Sequence, residues 1–234
     1  MGTKRIKKPW FIQRPDVLET IRKDIGSHYP DLRLIEQTNR ILVKGSFHVE
    51  HEGRVLTRYQ VRIEFPDDYP EQLPSVYEIG GKIPKTADFH IYTNGSACFG
   101  IPEEVLISLG EGWSFLDFLD GPVRNYFIGQ SLVALGKPWP FGEHPHGSEA
   151  LFDVYAKWFG VEDKATIVRY LRYLSKEIVK GHWPCPCNSG LIIRKCHEKE
   201  IRDMQTRLPY KIVHQSLVRL AQILKSEEDG RKRL

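Results

Sequence analysis

A chain of 234 residues with 41% hydrophobic and 11% aromatic content can bury a substantial core, as one large domain or a domain of about 150 residues with an appendage. Basic and acidic residues nearly cancel, 34 against 30, and a net charge of +4 argues against a protein held to nucleic acid by bulk charge. No apolar run approaches the roughly 20 residues of a membrane-spanning helix and no secretory pattern opens the chain, so a soluble, cytoplasmic protein with no membrane partner is expected.

The basic clusters Lys4, Arg5, Lys7, Lys8 and Arg231, Lys232, Arg233 lie at the chain ends and read as solvated tails, not as a specific nucleic-acid site. Residues 15–26, PDVLETIRKDIG, read as an amphipathic helix opened by Pro15 and Asp16 and ended by Gly26, with Val17, Leu18, Ile21 and Ile25 on one face. Two alternating stretches predict antiparallel strands: residues 41–49, with Ile41, Val43, Phe47 and Val49 inward, and residues 59–65, with Tyr59, Val61, Ile63 and Phe65 inward. His51-Glu52-Gly53-Arg54 supplies the turn between them, and a third strand is predicted over residues 76–79. Pro66, Pro70 and Pro74 disfavour both helix and ladder pairing in the connection before that strand, which reads as a stiff flap.

Next comes FHIYTNGSACFG, residues 89–100, a glycine-bounded segment that reads as neither helix nor strand. It carries Cys98 between Gly95 and Gly100, with His90 and Asn94 just upstream. Such a cysteine is either a nucleophile whose backbone neighbours face an incoming carbonyl, or a small buried apolar residue. The other three cysteines cluster elsewhere, which leaves Cys98 the one thiol without a metal-binding neighbour in sequence.

Downstream, Trp113, Phe115, Leu116, Leu119, Val123, Phe127 and Leu132 read as core, with Gly121-Pro122 splitting the stretch into two helices. In residues 135–150 two prolines flank Trp139, and Glu143, His144 and His146 are bunched; this is either a wall or proton shuttle near Cys98 or a solvated loop. Two further helices are predicted, one ending at Gly160 and one with Ile167, Leu171, Leu174 and Ile178 on its apolar face. Arg169, Arg172 and Lys176 form a basic stripe expected to be a solvated face.

WPCPCNSGLIIRKCH, residues 183–197, has Cys185-x-Cys187, eight intervening residues, then Cys196-His197. Three thiolates and an imidazole make a closed tetrahedral donor set, the chemistry of a structural zinc site with no open position for catalysis. Asn188-Ser189-Gly190 is the turn that doubles the chain back, and Arg194 and Lys195 offset the negative charge. The run resembles the SEC-C motif. A last helix is predicted after Pro209, with Ile212, Leu217, Leu220 and Leu224 as its strip, and the tail SEEDGRKRL is expected to fray.

YQVRIEFPDDYPEQLPSV followed by DFHIYTNGSACFGI resembles the core of the ubiquitin-conjugating enzymes at Phe65-Pro66, Tyr69-Pro70, Pro74, His90, Gly95 and Cys98. It departs from the eukaryotic pattern in that Ile91-Tyr92 follow His90 where Pro-Asn is usual, and the His-to-Cys spacing is two residues shorter. The shortened loop is similar to bacterial relatives from antiphage operons of the CBASS type. The resemblance implies an α+β fold, an antiparallel meander with flanking helices, over residues 1–150, a helical extension over 151–182, and a zinc knot with a C-terminal helix over 183–234.

It further implies a cysteine-dependent acyl transferase. Cys98 would hold the C-terminal carbonyl of a protein partner, a cGAS-like nucleotidyltransferase in the bacterial setting, as a thioester and pass it to an amine. His90 would hold the loop, and Asn94 or local backbone amides would stabilise the oxyanion. The alternatives are an inert binding or adaptor module on the same fold, and a cysteine hydrolase using His90, His144 or His146 as base.

Overall fold

The computed structural model describes residues 8–51, 53–141 and 148–231. In order, these form α1 (Trp10–Gln13), α2 (Pro15–His28), β1 (Leu32–Gln37), β2 (Arg40–His51), β3 (Arg54–Glu64), β4 (Ser75–Glu78), α3 (Pro102–Leu109), α4 (Phe115–Phe118), α5 (Arg124–Ala134), α6 (Ser148–Phe159), α7 (Lys164–Leu174), α8 (Glu198–Arg207) and α9 (Tyr210–Arg231). The class is α+β. The chain divides into two compact units, Met1–Phe99 with Gly112–Glu143, and Gly100–Glu111 with His144–Leu234. Residues 151–182 and 183–234, read as separate pieces of sequence, lie together in the second unit, which also takes α3.

The first unit is built on an antiparallel four-stranded sheet in the order β1-β2-β3-β4. Alternation in β2 and β3 turns Val43, Phe47, Val49, Val61 and Ile63 to one face, where all are fully buried, and Val76 of β4 joins them. Phe127 of α5 packs there against Tyr59 at 4.6 Å and Phe47 at 5.4 Å between ring centres. β1 is a strand the alternation rule did not find. Its LRLIEQ pattern places only Leu32 fully inside, and it is fixed by its partner: Gln37 pairs with Arg40 across a two-residue turn at Thr38-Asn39. Of the expected β2–β3 turn, Glu52 lies outside the described residues, and Gly53 takes φ +73°.

Two helix boundaries differ from expectation. α2 continues through Gly26 to His28, because a glycine weakens a helix without ending it and Ile21 and Ile25 are already buried. Gly121-Pro122 does not split the stretch after Trp113. The backbone stays helical from α4 into α5 through a wider, π-type turn at Leu119–Val123. That turn accommodates Pro122, which has no N–H to give an ordinary helical turn. Ser114 opens α4 with a reciprocal cap to Asp117, and Tyr29 fastens α2 to the π turn by donating to Asp120 at 2.6 Å.

The second unit is helical. Phe152 and Tyr155 of α6, Ile167, Tyr170 and Leu171 of α7, Ile201 of α8 and Leu220 of α9 form its core. α3, not foreseen from the sequence, enters through a buried acid: the Glu103 carboxylate accepts from the Tyr155 hydroxyl at 2.9 Å and from the Ser216 hydroxyl. α7 ends at Leu174, so Ile178 leaves the predicted face and is exposed. The buried face of α9 is Ile212, Val213, Ser216 and Leu220, while Leu217 and Leu224 are half-buried. The tail expected to fray is helical to Arg231, with Glu227 paired to Lys164 of α7 at 3.1 Å. No described helix is long and apolar enough to cross a membrane.

Candidate active site and candidate metal centre

After β4, residues 91–97 fold back as a small hairpin. Ile91 bridges Ala97, the Tyr92 N–H donates to the Ser96 carbonyl at 2.8 Å, and Gly95 turns the tip at φ +84°. Asn94 builds that tip from within, its Oδ1 accepting from the Ser96 N–H at 3.0 Å and the Ser96 hydroxyl at 2.8 Å. The Ala97 N–H then donates to the Val76 carbonyl of β4, and the Cys98 N–H to the His90 carbonyl, each at 2.7 Å. The segment that reads as irregular is thus a turn pinned at both ends.

A second set of contacts holds the upstream end. His90 takes the left-handed conformation, φ +52°, which costs a residue with a side chain about 1–3 kcal/mol unless its surroundings enforce it. They do so at the preceding residue. The Phe89 carbonyl accepts from Gln130 Nε2 at 2.6 Å and from the Tyr126 hydroxyl at 3.2 Å, and both α5 side chains are buried. The His90 ring lies on the Trp139 indole, 4.3 Å between centres and tilted by 32°. That indole occupies the place of a side chain at Gly129, where a Cβ would stand 2.4 Å from a ring carbon.

Cys98 is half-buried, neither sealed in the core nor on an open surface. His90 serves it through its main-chain carbonyl, and the adjacent Phe89 carbonyl accepts two hydrogen bonds from α5. Asn94 is exposed with its carbonyl end committed to Ser96, so only its amide end can donate to an oxyanion. The Ala97 and Cys98 N–H groups, two of the backbone amides expected to serve that purpose, are spent on Val76 and His90. Burial pushes the Tyr126 phenol up against the opposing bond from Gln130, and the charge of the Cys98 sulfur adds to the rise.

Tyr126, Gln130 and Gly129 were not singled out in the sequence. Their spacing on α5 is that of any core-facing helix, and only the position of Phe89 gives it meaning. Trp139, from the stretch read as either a wall near Cys98 or a solvated loop, stands against the His90 ring. Glu143, His144 and His146 lie outside the described residues.

In the second unit, Cys185, Cys187, Cys196 and His197 each bring one ligand atom within 4.8 Å of the others. The Cys187 sulfur stands 3.4 Å from that of Cys185 and 3.5 Å from that of Cys196, and His197 Nδ1 is 3.2 Å and 3.1 Å from Cys185 and Cys196. A tetrahedron with metal–sulfur bonds of about 2.3 Å has edges of about 3.8 Å, so a small expansion accommodates an ion. The set can hold a metal ion, with all positions filled by protein.

Local structure makes this convergence. Asn188, at φ +64°, and Gly190 double the chain back, Pro184 bridges Ile192, and the Cys185 N–H donates to the Leu191 carbonyl at 2.8 Å. Burial pushes the Cys185 thiol up; that of Cys187, against burial, is drawn down by the hydroxyl and N–H of Ser189 and by the neighbouring sulfurs. Arg169, expected on a solvated face, instead donates to the Pro186 carbonyl at 3.0 Å and ties the knot to α7.

No protein-family model matches this chain, and no curated protein matches it.

Proposed function

We propose that the first unit is a ubiquitin-conjugating-type acyl transferase with Cys98 as its nucleophile, and that the second is organised by a structural zinc ion. The observation that carries the first reading is the mounting of Cys98: a half-buried sulfur on a turn pinned to β4 by Ala97 and to His90 by its own N–H. A cysteine that only filled space would not need a left-handed histidine and two buried donors to place it.

In this reading the Cys98 thiolate attacks the activated C-terminal carbonyl of a protein partner. The sulfur–carbon bond forms, the activating group leaves with its electron pair, and the product is a thioester. An amine then attacks that carbonyl, loses a proton, and releases Cys98 as thiolate. The Asn94 amide end is the side-chain donor available on the loop for the oxyanion. The partner proposed is one whose C-terminal tail reaches Cys98, such as a cGAS-like nucleotidyltransferase of a CBASS-type operon, with activation supplied from outside this chain. Three thiolates with one imidazole favour zinc among common cellular metals.

The test is the intact mass of the protein purified with its operon neighbours. A partner-sized adduct lost on hydroxylamine treatment, and replaced by a slower oxyester in Cys98→Ser, supports acyl transfer. A Cys98→Ser protein with full activity identifies a binding module instead.

A further inference from the structure

One face of the four-stranded sheet carries the core, and the other is charged. Register sets Arg33 of β1 beside Lys44 of β2, Lys44 beside Arg62 of β3, and Arg62 beside Tyr77 of β4, so a single row across the sheet holds these cations with no acid between them. Like charges directly opposite one another weaken a sheet. Further along the same face, Arg58 of β3 lies opposite His48 of β2. Up to the bulge after Val49, Glu64 is the acid that the strands set on this side. Basic and acidic residues nearly cancel over the whole chain, 34 against 30, so the face is a local excess.

The cations of this face are unspent. Arg33, Lys44 and Arg58 are exposed, and none is paired with an acid among the described residues. Arg33 donates only to main-chain carbonyls, those of Pro30 and Leu32. The Arg62 guanidinium carbon lies 4.4 Å from the centre of the Tyr77 ring, and Glu64 Oε1 stands 3.0 Å from Arg62 Nε without the alignment of a hydrogen bond. The ring thus steadies the guanidinium and leaves its fork of N–H groups for a carboxylate. We propose that this face docks an acidic segment of a partner protein, with one carboxylate on the Arg62 fork and others on Lys44, Arg33 and Arg58. In an extended segment the side chains of one side recur about every 7 Å, and Arg62 and Arg58 lie about 13 Å apart along β3, so alternate acids reach both. Tyr77 is the aromatic ring that the strands set on this face, and Arg62 covers it. That leaves no platform for stacked bases and favours a protein over single-stranded nucleic acid. The docking face depends on neither the Cys98 reading nor the metal centre.

The full chain is titrated into a fluorescein-labelled deca-glutamate peptide at low salt, and binding is read by anisotropy. Binding is expected, weakening as salt is added. Lys44→Glu with Arg58→Glu should weaken it about tenfold or more. Arg172→Glu with Lys176→Glu, the same change of net charge placed on α7, should leave it near wild type. Arg62→Lys keeps the charge but loses the fork, and should fall between the two. Because Lys44→Glu turns two like-charge pairs into opposite-charge pairs, it should also raise the melting temperature at low salt. No binding by wild type, equal losses in the two double variants, or a lower melting temperature in Lys44→Glu overturns the proposal. So does a single-stranded oligonucleotide of equal charge, or a phosphatidylserine vesicle, that binds more tightly than the peptide and is released by Lys44→Glu with Arg58→Glu.

Discussion

The N–H of Cys98 donates to the carbonyl of His90 at 2.7 Å, closing a loop whose tip is the Asn94–Ser96 turn. The bond fixes the direction in which the cysteine leaves the hairpin, and it commits the cysteine's own amide to the His90 carbonyl. Because the His90 carbonyl is aimed by a left-handed backbone, whatever holds His90 also holds Cys98.

That dependence is testable at Gln130. Gln130→Leu keeps volume but strips the 2.6 Å bond from the Phe89 carbonyl, leaving a part-buried acceptor with Tyr126 alone. The loss is about 1 kcal/mol. Hydrogen exchange at the Cys98 amide should accelerate by on the order of tenfold, and Cys98 should be alkylated faster. Tyr126→Phe, which removes the longer bond, should show a smaller change. Unaltered exchange in Gln130→Leu would mean the hairpin holds itself.

Gly129→Ala tests the indole. An added Cβ would meet three ring carbons of Trp139 at 2.4, 2.6 and 2.9 Å, and a ring in contact with His90 cannot yield by rotating a flexible end. The expected destabilisation is about 1–3 kcal/mol. In the double variant with Trp139→Ala the clash is gone, so thermal melts should show the Gly129→Ala cost largely abolished.

Metal removal should act on the second unit. The segment 183–197 has few buried apolar side chains, chiefly Ile193, and its turn depends on ligands being drawn together. The purified chain should carry about one zinc per molecule by elemental analysis. Cys185→Ser or Cys196→Ser should lose it and lower the melting temperature, and zinc binding to the apoprotein should release protons as thiols become thiolates.

Glu103 predicts a pH dependence. Burial raises its pKa above the ordinary value, against the opposing bonds from Ser216 and Tyr155 and the charge of Arg219. A carboxyl raised in the folded state binds its proton more tightly there than in the unfolded chain. Its contribution is therefore favourable below the unfolded pKa and is lost as pH rises through the folded one. Glu103→Gln keeps an acceptor for both hydroxyls and removes the charge. Melts from about pH 4 to pH 8 should show wild type losing stability relative to Glu103→Gln as pH rises; parallel curves would contradict this.

Much was legible in order along the chain. Alternation in residues 41–49 and 59–65 found β2 and β3 because one face of each must be apolar, and the ligand spacing from Cys185 to His197 is a local property that survives in three dimensions. What was missed was non-local or was settled by partners. β1 has too little alternation to stand out and is a strand because β2 lies beside it. Pro122 looked like a break because the sequence does not show a turn that can widen. Arg169 looked solvated because its acceptor, the Pro186 carbonyl, lies in a different segment.

The sequence by itself determined the chemical inventory: a lone sulfur between two glycines, a Cys3His donor set, and two well-patterned strands, since each depends on residues close together in the chain. Only the tertiary structure decided that Phe89 is gripped by Tyr126 and Gln130, that Gly129 makes room for Trp139, and that Tyr170 stacks on Phe159 in the core. Those relations join residues tens of positions apart, and a hydrogen bond or a steric exclusion depends on distance in space, which one-dimensional spacing does not record.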